Sequence, residues 1–194
     1  MLKKLSILII AFLFISCDIF TTREADPPDQ SASNFTPAVE REMVISNLKN
    51  AFLDKNVVNY IKCFVDSNYS KKRYTFSASS EALALFQIFS EGWGLREERI
   101  YFSNMITKVP QDFPIALSLS NENFSSLGGD SLVYSATYFI NLPIQSGGSL
   151  PQNYEGNLEF KMLRDSKSEW VIYFWKDTKS QTLPSWSEMK GSLY

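Results

Sequence analysis

The sequence lacks histidine altogether and contains only two cysteines among its 194 residues. No catalytic triad can therefore use an imidazole base, and a catalytic zinc site would lack its commonest ligand. Two cysteines are too few for a disulfide framework. The 19 basic and 21 acidic residues give a formal charge of −2, which is not the basic excess typical of nucleic-acid binding. We expect no metal site, no cofactor and no nucleic-acid partner.

Apolar and aromatic side chains are abundant in the same sequence. Hydrophobic residues make up 44% of the chain, and the aromatic residues comprise 15 phenylalanines, 9 tyrosines and 4 tryptophans. This content is sufficient for a hydrophobic core, and the length fits one domain of ordinary size with a tail.

A short apolar run follows two lysines at the N-terminus. Lys3 and Lys4 precede the run 5–15, which is too short to span a bilayer, since a helical span takes about 20 residues. Its length is typical of the apolar region of a secretory signal peptide. The run ends at Ser16 and Cys17, and this ending resembles the lipobox of bacterial lipoproteins, with Phe14 where leucine is usual.

The lipobox resemblance implies that residues 1–16 are a lipoprotein signal peptide and that Cys17 becomes the lipid-modified N-terminus. Two or more acyl chains hold a protein stably on a bilayer, so we expect attachment to a membrane of the bacterial cell envelope, on its periplasmic or surface side. The alternative is an ordinary secretory signal with a coincidental cysteine. Residues 17–36 are rich in polar residues and include Pro27-Pro28, which predicts a flexible tether.

Helical spacing of apolar residues dominates the first part of the remaining chain, 37–194. Thr36 and Pro37 have the pattern of a helix start, and the spacing predicts helices over about 38–54, 57–64, 81–89 and 95–109. A short strand is predicted near Phe76, and alternating residues predict longer strands from Ile115 onward. Helices followed by a meander of strands indicate an α+β domain, in which N-terminal helices pack on one face of a bent antiparallel sheet.

Five short segments of this domain carry a family resemblance by their order and spacing. They are 47–52 (NLKNAF), 59–66 (NYIKCFVD), 93–98 (WGLREE), 170–177 (WVIYFWKD) and 184–191 (PSWSEMKG). The first, second and fourth segments resemble the nuclear-transport-factor-2-like superfamily, and the other two are similar to segments of uncharacterised bacterial lipoproteins that carry this domain. The resemblance covers residues 37–194. The resemblance implies a cone, in which a strongly bent sheet wraps around the helices and leaves a pocket at its wide end.

The elements of such a cone would bring eight side chains together in its interior. They offer an apolar lining for a small hydrophobic or amphipathic ligand, with the Tyr60 hydroxyl as a polar handle. The alternative is that they interdigitate and leave no void, because protein cores pack at crystal-like density. The eight residues are Tyr60, Phe64, Phe76, Phe86, Phe102, Met105, Phe139 and Phe160.

Candidate catalytic groups are few. Some enzymes of the superfamily are isomerases or dehydratases that use an aspartate or histidine base with tyrosine donors, and Asp66 is the residue to which the resemblance extends this role. Asp66 equally fits a turn cap, and Cys63 fits a small buried side chain. The candidate donors are Tyr60, Tyr101, Tyr134 and Tyr138.

Charged residues also cluster at 96–99 (REER), near the start of the fourth predicted helix. They fit either a salt-bridged pocket rim or a solvated helix face, with Arg99 continuing an apolar stripe. Near the C-terminus, Ser185 and Glu188 have the spacing of a capping box. We expect a short helix there that packs Trp186 on the domain, with Trp93 as a second packing anchor.

Two functions remain open on this evidence. The first is a non-catalytic, lipid-anchored envelope protein whose cone binds a small apolar molecule or a protein partner, with the outer sheet face available for a homodimer. The second is a pocket enzyme of the isomerase or dehydratase type. An enzyme needs a buried carboxylate beside a donor in an apolar cavity. No carboxylate falls on the apolar stripes identified above, which favours the first function.

Overall fold

A computed structural model describes residues 34–144 and 150–194 of the chain. Cys17, the predicted signal peptide and the predicted tether up to residue 33 lie outside the described residues. Within the described ranges, no helix combines the length and the apolar character that crossing a bilayer demands.

The described chain contains six helices and five strands, with the long strands after most of the helices, as the sequence predicts. The helices are α1 (Arg41–Leu53), α2 (Val57–Lys62), α3 (Ser80–Leu85), α4 (Ile88–Glu91), α5 (Leu95–Thr107) and α6 (Trp186–Leu193). The strands are β1 (Thr75–Ser77), β2 (Ala116–Gly128), β3 (Ser131–Asn141), β4 (Asn153–Arg164) and β5 (Trp170–Lys179). The predicted α+β class is confirmed.

The five strands form one sheet in the order β1-β5-β4-β3-β2. Strands β2 to β5 make an antiparallel meander, but β1 runs parallel to β5, with Thr75 opposite Phe174. The sheet is therefore mixed, and the expectation of a wholly antiparallel sheet is wrong at this edge. A hairpin fixes an antiparallel direction, whereas residues 78–169 separate β1 from β5 and leave their relative direction to packing.

Irregularities in strand pairing accompany the bend of the sheet. The β2–β3 register shifts between Ser120 and Asn123, where Asn121 has a φ of 53°, and the β4–β5 register shifts at Lys161 and Met162. Such bulges bend a strand and increase its twist. The inner face of β3 is the one that alternation predicts, namely Leu132, Tyr134, Ala136, Tyr138 and Ile140, and all five residues are buried.

Two predicted helix boundaries are wrong. Helix α1 begins at Arg41 rather than after Thr36, because the Asn47 side chain binds the Thr36 backbone through both its amide N–H and its carbonyl oxygen. The helix predicted over 81–89 is divided into α3 and α4 at Phe86, which has an extended backbone. The ring of Phe86 packs directly on Gly191 of α6, where even a Cβ atom would lie 2.4 Å from the ring.

Candidate functional site

A glutamate is buried in the middle of the cone. Glu98, on α5, is fully inaccessible to solvent. The buried residues of α5 are Glu98, Tyr101, Phe102 and Met105, which is the three-and-four-residue spacing of one helix face. The carboxylate thus stands on an apolar stripe, among aromatic side chains.

A lysine from the other end of the domain neutralises this carboxylate. Lys190, on α6, places Nζ 2.7 Å from both Oε1 and Oε2 of Glu98, and both side chains are wholly buried. Burial lowers the pKa of Lys190 to about 8, although the charge of Glu98 acts in the opposite direction. The ion pair fastens α6 to α5 across 92 residues of sequence.

Three neutral groups also donate hydrogen bonds to Glu98. The Tyr60 hydroxyl donates to Oε1, while the Tyr74 hydroxyl (3.0 Å) and the Trp93 indole N–H (2.6 Å) donate to Oε2. Burial, reinforced by the charge of Glu98, raises the pKa of Tyr60 and Tyr74 well above the ordinary value of 10. A carboxylate has about four lone-pair sites, so these donors and Lys190 together use its whole accepting capacity.

Aromatic rings surround the Lys190 ammonium on its remaining sides. The distances from Nζ to the ring centroids are 3.6 Å for Trp175, 3.8 Å for Phe76, 5.5 Å for Tyr101 and 5.6 Å for Trp93. Ring faces within about 6 Å attract a cation electrostatically, and more strongly when water is excluded. We call Glu98 and these four rings the ammonium cage.

A second buried acid lies where β5 meets α6. Asp177 is 1% exposed and accepts hydrogen bonds from the Tyr138 hydroxyl (2.8 Å) and from the backbone N–H and the hydroxyl of Ser187. Burial raises the pKa of Asp177, while these hydrogen bonds oppose the increase. The Tyr138 hydroxyl also accepts the Trp186 backbone N–H at 2.7 Å. Asp177 therefore holds the first turn of α6 in place.

A groove of about 700 Å³ opens beside α2, and none of its lining residues belongs to the ammonium cage. Its charged residues are largely engaged: Lys167 lies 3.5 Å from Glu169, Asp66 accepts the Asn68 backbone N–H, and Lys62 lies over the Phe35 ring. Arg99 is exposed and has no hydrogen-bond or ion-pair partner within the described residues. The apolar part of the lining consists of Phe35, Pro37, Val58, Ile61, Phe64, Leu95 and Val171.

The eight predicted pocket residues do not share one cavity wall. Tyr60 stacks on Phe102 with ring centroids 3.8 Å apart, and its hydroxyl is used by Glu98 rather than facing open space. Phe139 is 41% exposed and lies on the outer face of β3, because Tyr138 and Ile140 on either side of it point inward. Phe64, Phe102, Met105 and Phe160 are buried, Phe76 and Phe86 are partly buried against the core, and Phe64 also lines the groove.

The other candidate residues have structural roles: they cap turns and helices or pack in the core. Asp66 is exposed and caps a turn, although it also lines the groove. Burial raises the pKa of the Cys63 thiol, which lies in the core. The predicted capping box of Ser185 and Glu188 is confirmed, as is the packing of Trp186, which is fully buried.

The residues that carry charge into the core, Glu98 and Lys190, are not among the predicted site residues. Spacing predicts Arg99 on the apolar stripe of α5, whereas Arg99 is exposed and its neighbour Glu98 is buried. Spacing is a signal that could have found them. Glu98 is followed by apolar residues at positions 101, 102 and 105, and Lys190 lies in the stripe 186, 189, 190 and 193, so two buried helix faces each contain one charge of opposite sign. Asp177 gave no comparable signal.

The sequence matches no family model and no curated protein. Solved structures do resemble the domain. One is a candidate aromatic ring hydroxylase from Novosphingobium aromaticivorans, 14% identical, with 77% of this chain and 92% of that chain covered and a TM-score of 0.57. Another is a candidate dehydratase of the nuclear-transport-factor-2-like family from Streptomyces avermitilis, 11% identical, with 73% and 94% covered and a TM-score of 0.53.

A nuclear-transport-factor-2-like superfamily protein from Salmonella enterica is similar at 12% identity, with 74% and 93% covered and a TM-score of 0.51. At these identities the likeness concerns the fold. The domain has the cone-like α+β fold of nuclear-transport-factor-2-like proteins, as the sequence resemblance predicts. No cluster of three or more potential metal ligands occurs in residues 34–144 and 150–194.

Proposed function

We propose that the protein is a non-catalytic, lipid-anchored protein of the bacterial envelope whose domain binds a small amphipathic molecule in the groove beside α2. The anchor is inferred from the lipobox-like ending at Cys17. The binding function is inferred from the groove, and its volume of about 700 Å³ is the observation that carries it. Small-molecule sites are concave and mostly apolar, with a few polar groups that orient the ligand, and they commonly measure about 300–1,000 Å³.

The charges of the groove indicate which ligand it suits. Asp165 accepts backbone N–H groups of its own turn, Asp66 does the same in its turn, and Glu169 is paired with Lys167. Arg99 and Lys62 are the groove cations without a hydrogen-bond or ion-pair partner among the described residues. Lys62 already lies over the Phe35 ring, with Nζ 5.1 Å from the ring centroid, which leaves Arg99 as the groove cation without a contact of any of these kinds. We therefore expect an apolar body along Val58 and its neighbours and an acidic head group at Arg99.

The experiment uses a chain that begins at Asn34 and the fluorescent probe 1-anilinonaphthalene-8-sulfonate, which combines apolar rings with one anionic group. Val58 is 58% exposed in the groove, so Val58→Asp places a charge on the apolar wall and should abolish saturable binding. The matched control is Val39→Asp, because Val39 is 54% exposed but does not line the groove. Equal binding by the Val58→Asp variant and the unmodified chain would contradict the proposal.

Arg99→Gln tests the head-group contact separately. A charge-assisted hydrogen bond contributes about 1.5–3 kcal/mol, so we expect the dissociation constant to rise at least about tenfold. Arg96→Gln is the matched control, since Arg96 lies on the same helix with its side chain 78% exposed and outside the groove lining. Similar losses in both variants would show a general charge effect instead of a site.

Intact mass and detergent partitioning of the full chain, expressed in bacteria, test the anchor. We expect the mature chain to begin at a lipid-modified Cys17, and the Cys17→Ser variant to stay unlipidated and unprocessed. A mature chain that begins at any other residue would refute the anchor without affecting the groove.

A pocket enzyme of the dehydratase or isomerase type is the second candidate, favoured by Asp177. This buried carboxyl has a raised pKa and contacts the Tyr138 hydroxyl, and a solved structure of the same fold is a candidate scytalone dehydratase. Its oxygens are occupied by Ser187 of α6 as well. Turnover of scytalone by the full chain that is lost in Asp177→Asn would favour this candidate over simple binding.

A further inference from the structure

The ammonium cage has a carboxylate whose position does not depend on Lys190. Tyr60 on α2, Tyr74 before β1 and Trp93 before α5 each donate a hydrogen bond to Glu98. Three separate segments therefore fix both carboxylate oxygens without any help from α6. A carboxylate fixed in this way is preorganised to bind a cation.

The rest of the cage is shaped for one kind of cation. A primary ammonium has three N–H donors, and Lys190 directs hydrogen bonds to both oxygens of Glu98. The faces of Trp175 and Phe76 lie 3.6 and 3.8 Å from Nζ, which suits the remaining charge and the adjoining methylene groups. Phe76 and Trp175 also contact each other edge to face, with their ring centroids 5.3 Å apart, so the two rings cover adjacent sides of the ammonium.

We propose that the cone contains a binding site for a primary alkylammonium group, and that Lys190 of α6 fills this site intramolecularly. Helix α6 thus supplies the ligand of this site from the same chain. While α6 is docked, the Lys190 ammonium occupies the site and excludes external amines. The site is independent of the groove beside α2, with which it shares no lining residue.

The lysine side chain defines the size of the external ligand that should replace it. Lys190→Ala removes Cγ, Cδ, Cε and Nζ, which together have the heavy atoms of n-propylammonium. The variant retains Glu98, its three neutral donors and the rings. It should therefore bind n-propylammonium from solution, methylammonium more weakly because it makes fewer ring contacts, and longer chains more weakly because they meet the helix backbone.

The experiment measures unfolding of the full chain carrying Lys190→Ala in detergent, with increasing n-propylammonium chloride and with sodium chloride at equal ionic strength. A ligand that binds only the folded state multiplies the folding equilibrium constant by about 100 at 100 times its dissociation constant. We expect saturable stabilisation by n-propylammonium beyond that by sodium, with propyl better than methyl and pentyl. 1-Propanol, which has the same shape without the charge, should give no such effect.

Two control variants identify the cage as the place of binding. Lys179→Ala removes a different contact of α6, the 2.8 Å ion pair with Glu188 whose side chains are 25% and 14% exposed, and n-propylammonium should not restore its stability. Adding Glu98→Gln to Lys190→Ala should abolish the preference for n-propylammonium over 1-propanol. If n-propylammonium acts no better than sodium, or acts equally on the Lys179→Ala variant, the proposal is overturned.

The test does not require the variant to be folded in buffer. Should Lys190→Ala unfold the chain, n-propylammonium must restore near-native tryptophan fluorescence on dilution from urea, since binding shifts the folding equilibrium from either side. Failure to refold at every n-propylammonium concentration, with the Lys179→Ala variant refolding normally, counts against the proposal.

Discussion

Replacing Lys190 by methionine should destabilise the domain strongly, although the two side chains have similar volumes. At 2.7 Å, the attraction between the two charges is about 6 kcal/mol for an effective dielectric constant of about 20. Desolvation of the two ions offsets much of this gain, yet removing one partner leaves the other charge buried and typically costs 3–5 kcal/mol. Tyr60, Tyr74 and Trp93 still donate to Glu98 in the variant, so we expect about 3 kcal/mol.

The double variant Lys190→Met, Glu98→Gln should recover most of this loss. Replacing a whole buried ion pair by neutral groups of similar size is often neutral or stabilising, so we expect the double variant within about 1 kcal/mol of the unmodified chain. Lys179→Met is the control, because the partly exposed Lys179–Glu188 pair should contribute about 1 kcal/mol or less.

Urea unfolding followed by tryptophan fluorescence provides the measurement. Trp93, Trp175 and Trp186 all lie in the core, so their emission reports loss of packing around the pair. A domain of this size has about 5–15 kcal/mol of stability, and a loss of 3 kcal/mol leaves a folded baseline in most of that range. A cost below about 1 kcal/mol for Lys190→Met, or a double variant as unstable as the sum of the single variants, would refute this account of the pair.

Three further outcomes follow from packing and burial. Gly156→Ala should destabilise by at least about 1–3 kcal/mol in urea unfolding, because a Cβ atom would lie 2.4 Å from the Tyr138 hydroxyl and 2.6 Å from the Thr178 carbonyl oxygen. Cys63 should resist thiol reagents, followed by mass, until the domain unfolds, since the thiolate is the reactive form and burial raises the pKa of the thiol. Six tyrosines have a pKa raised above 10 by burial, so the folded state keeps protons that the unfolded state loses. Stability should therefore fall as pH rises above 10, with phenolate absorbance increasing together with unfolding; phenolate formation by all nine tyrosines in the folded state would contradict this.

The order of the secondary structure could be predicted because it depends on local periodicity. Apolar residues at helical spacing predict α1 and α2, and alternation predicts β3 to the correct face. The capping box at Ser185 is equally local, since both of its hydrogen bonds lie within four residues. Features that depend only on neighbouring residues can be predicted without knowledge of the rest of the fold.

The interior charges could be predicted only in part, because spacing marks the two helix faces but does not choose between neighbouring residues on them. A helix stripe that contains Glu98 can be drawn as easily with Arg99, one position along, because a helical face is broad enough for both. Which of these two residues is buried depends on the hydrogen-bond donors that the rest of the fold places against the helix. Lys190 lies 92 residues away in sequence, and its burial is tolerable only because Glu98 meets it.

Spacing and composition are enough to predict the α+β class, the apolar faces of the long strands, the final helix and the aromatic core. The parallel pairing of β1, the outward position of Phe139, and the burial of Glu98, Lys190 and Asp177 arise only when the whole chain folds. The physical reason is that a charge enters a core only when its partner is already placed there. That placement is a property of the folded chain and not of any segment.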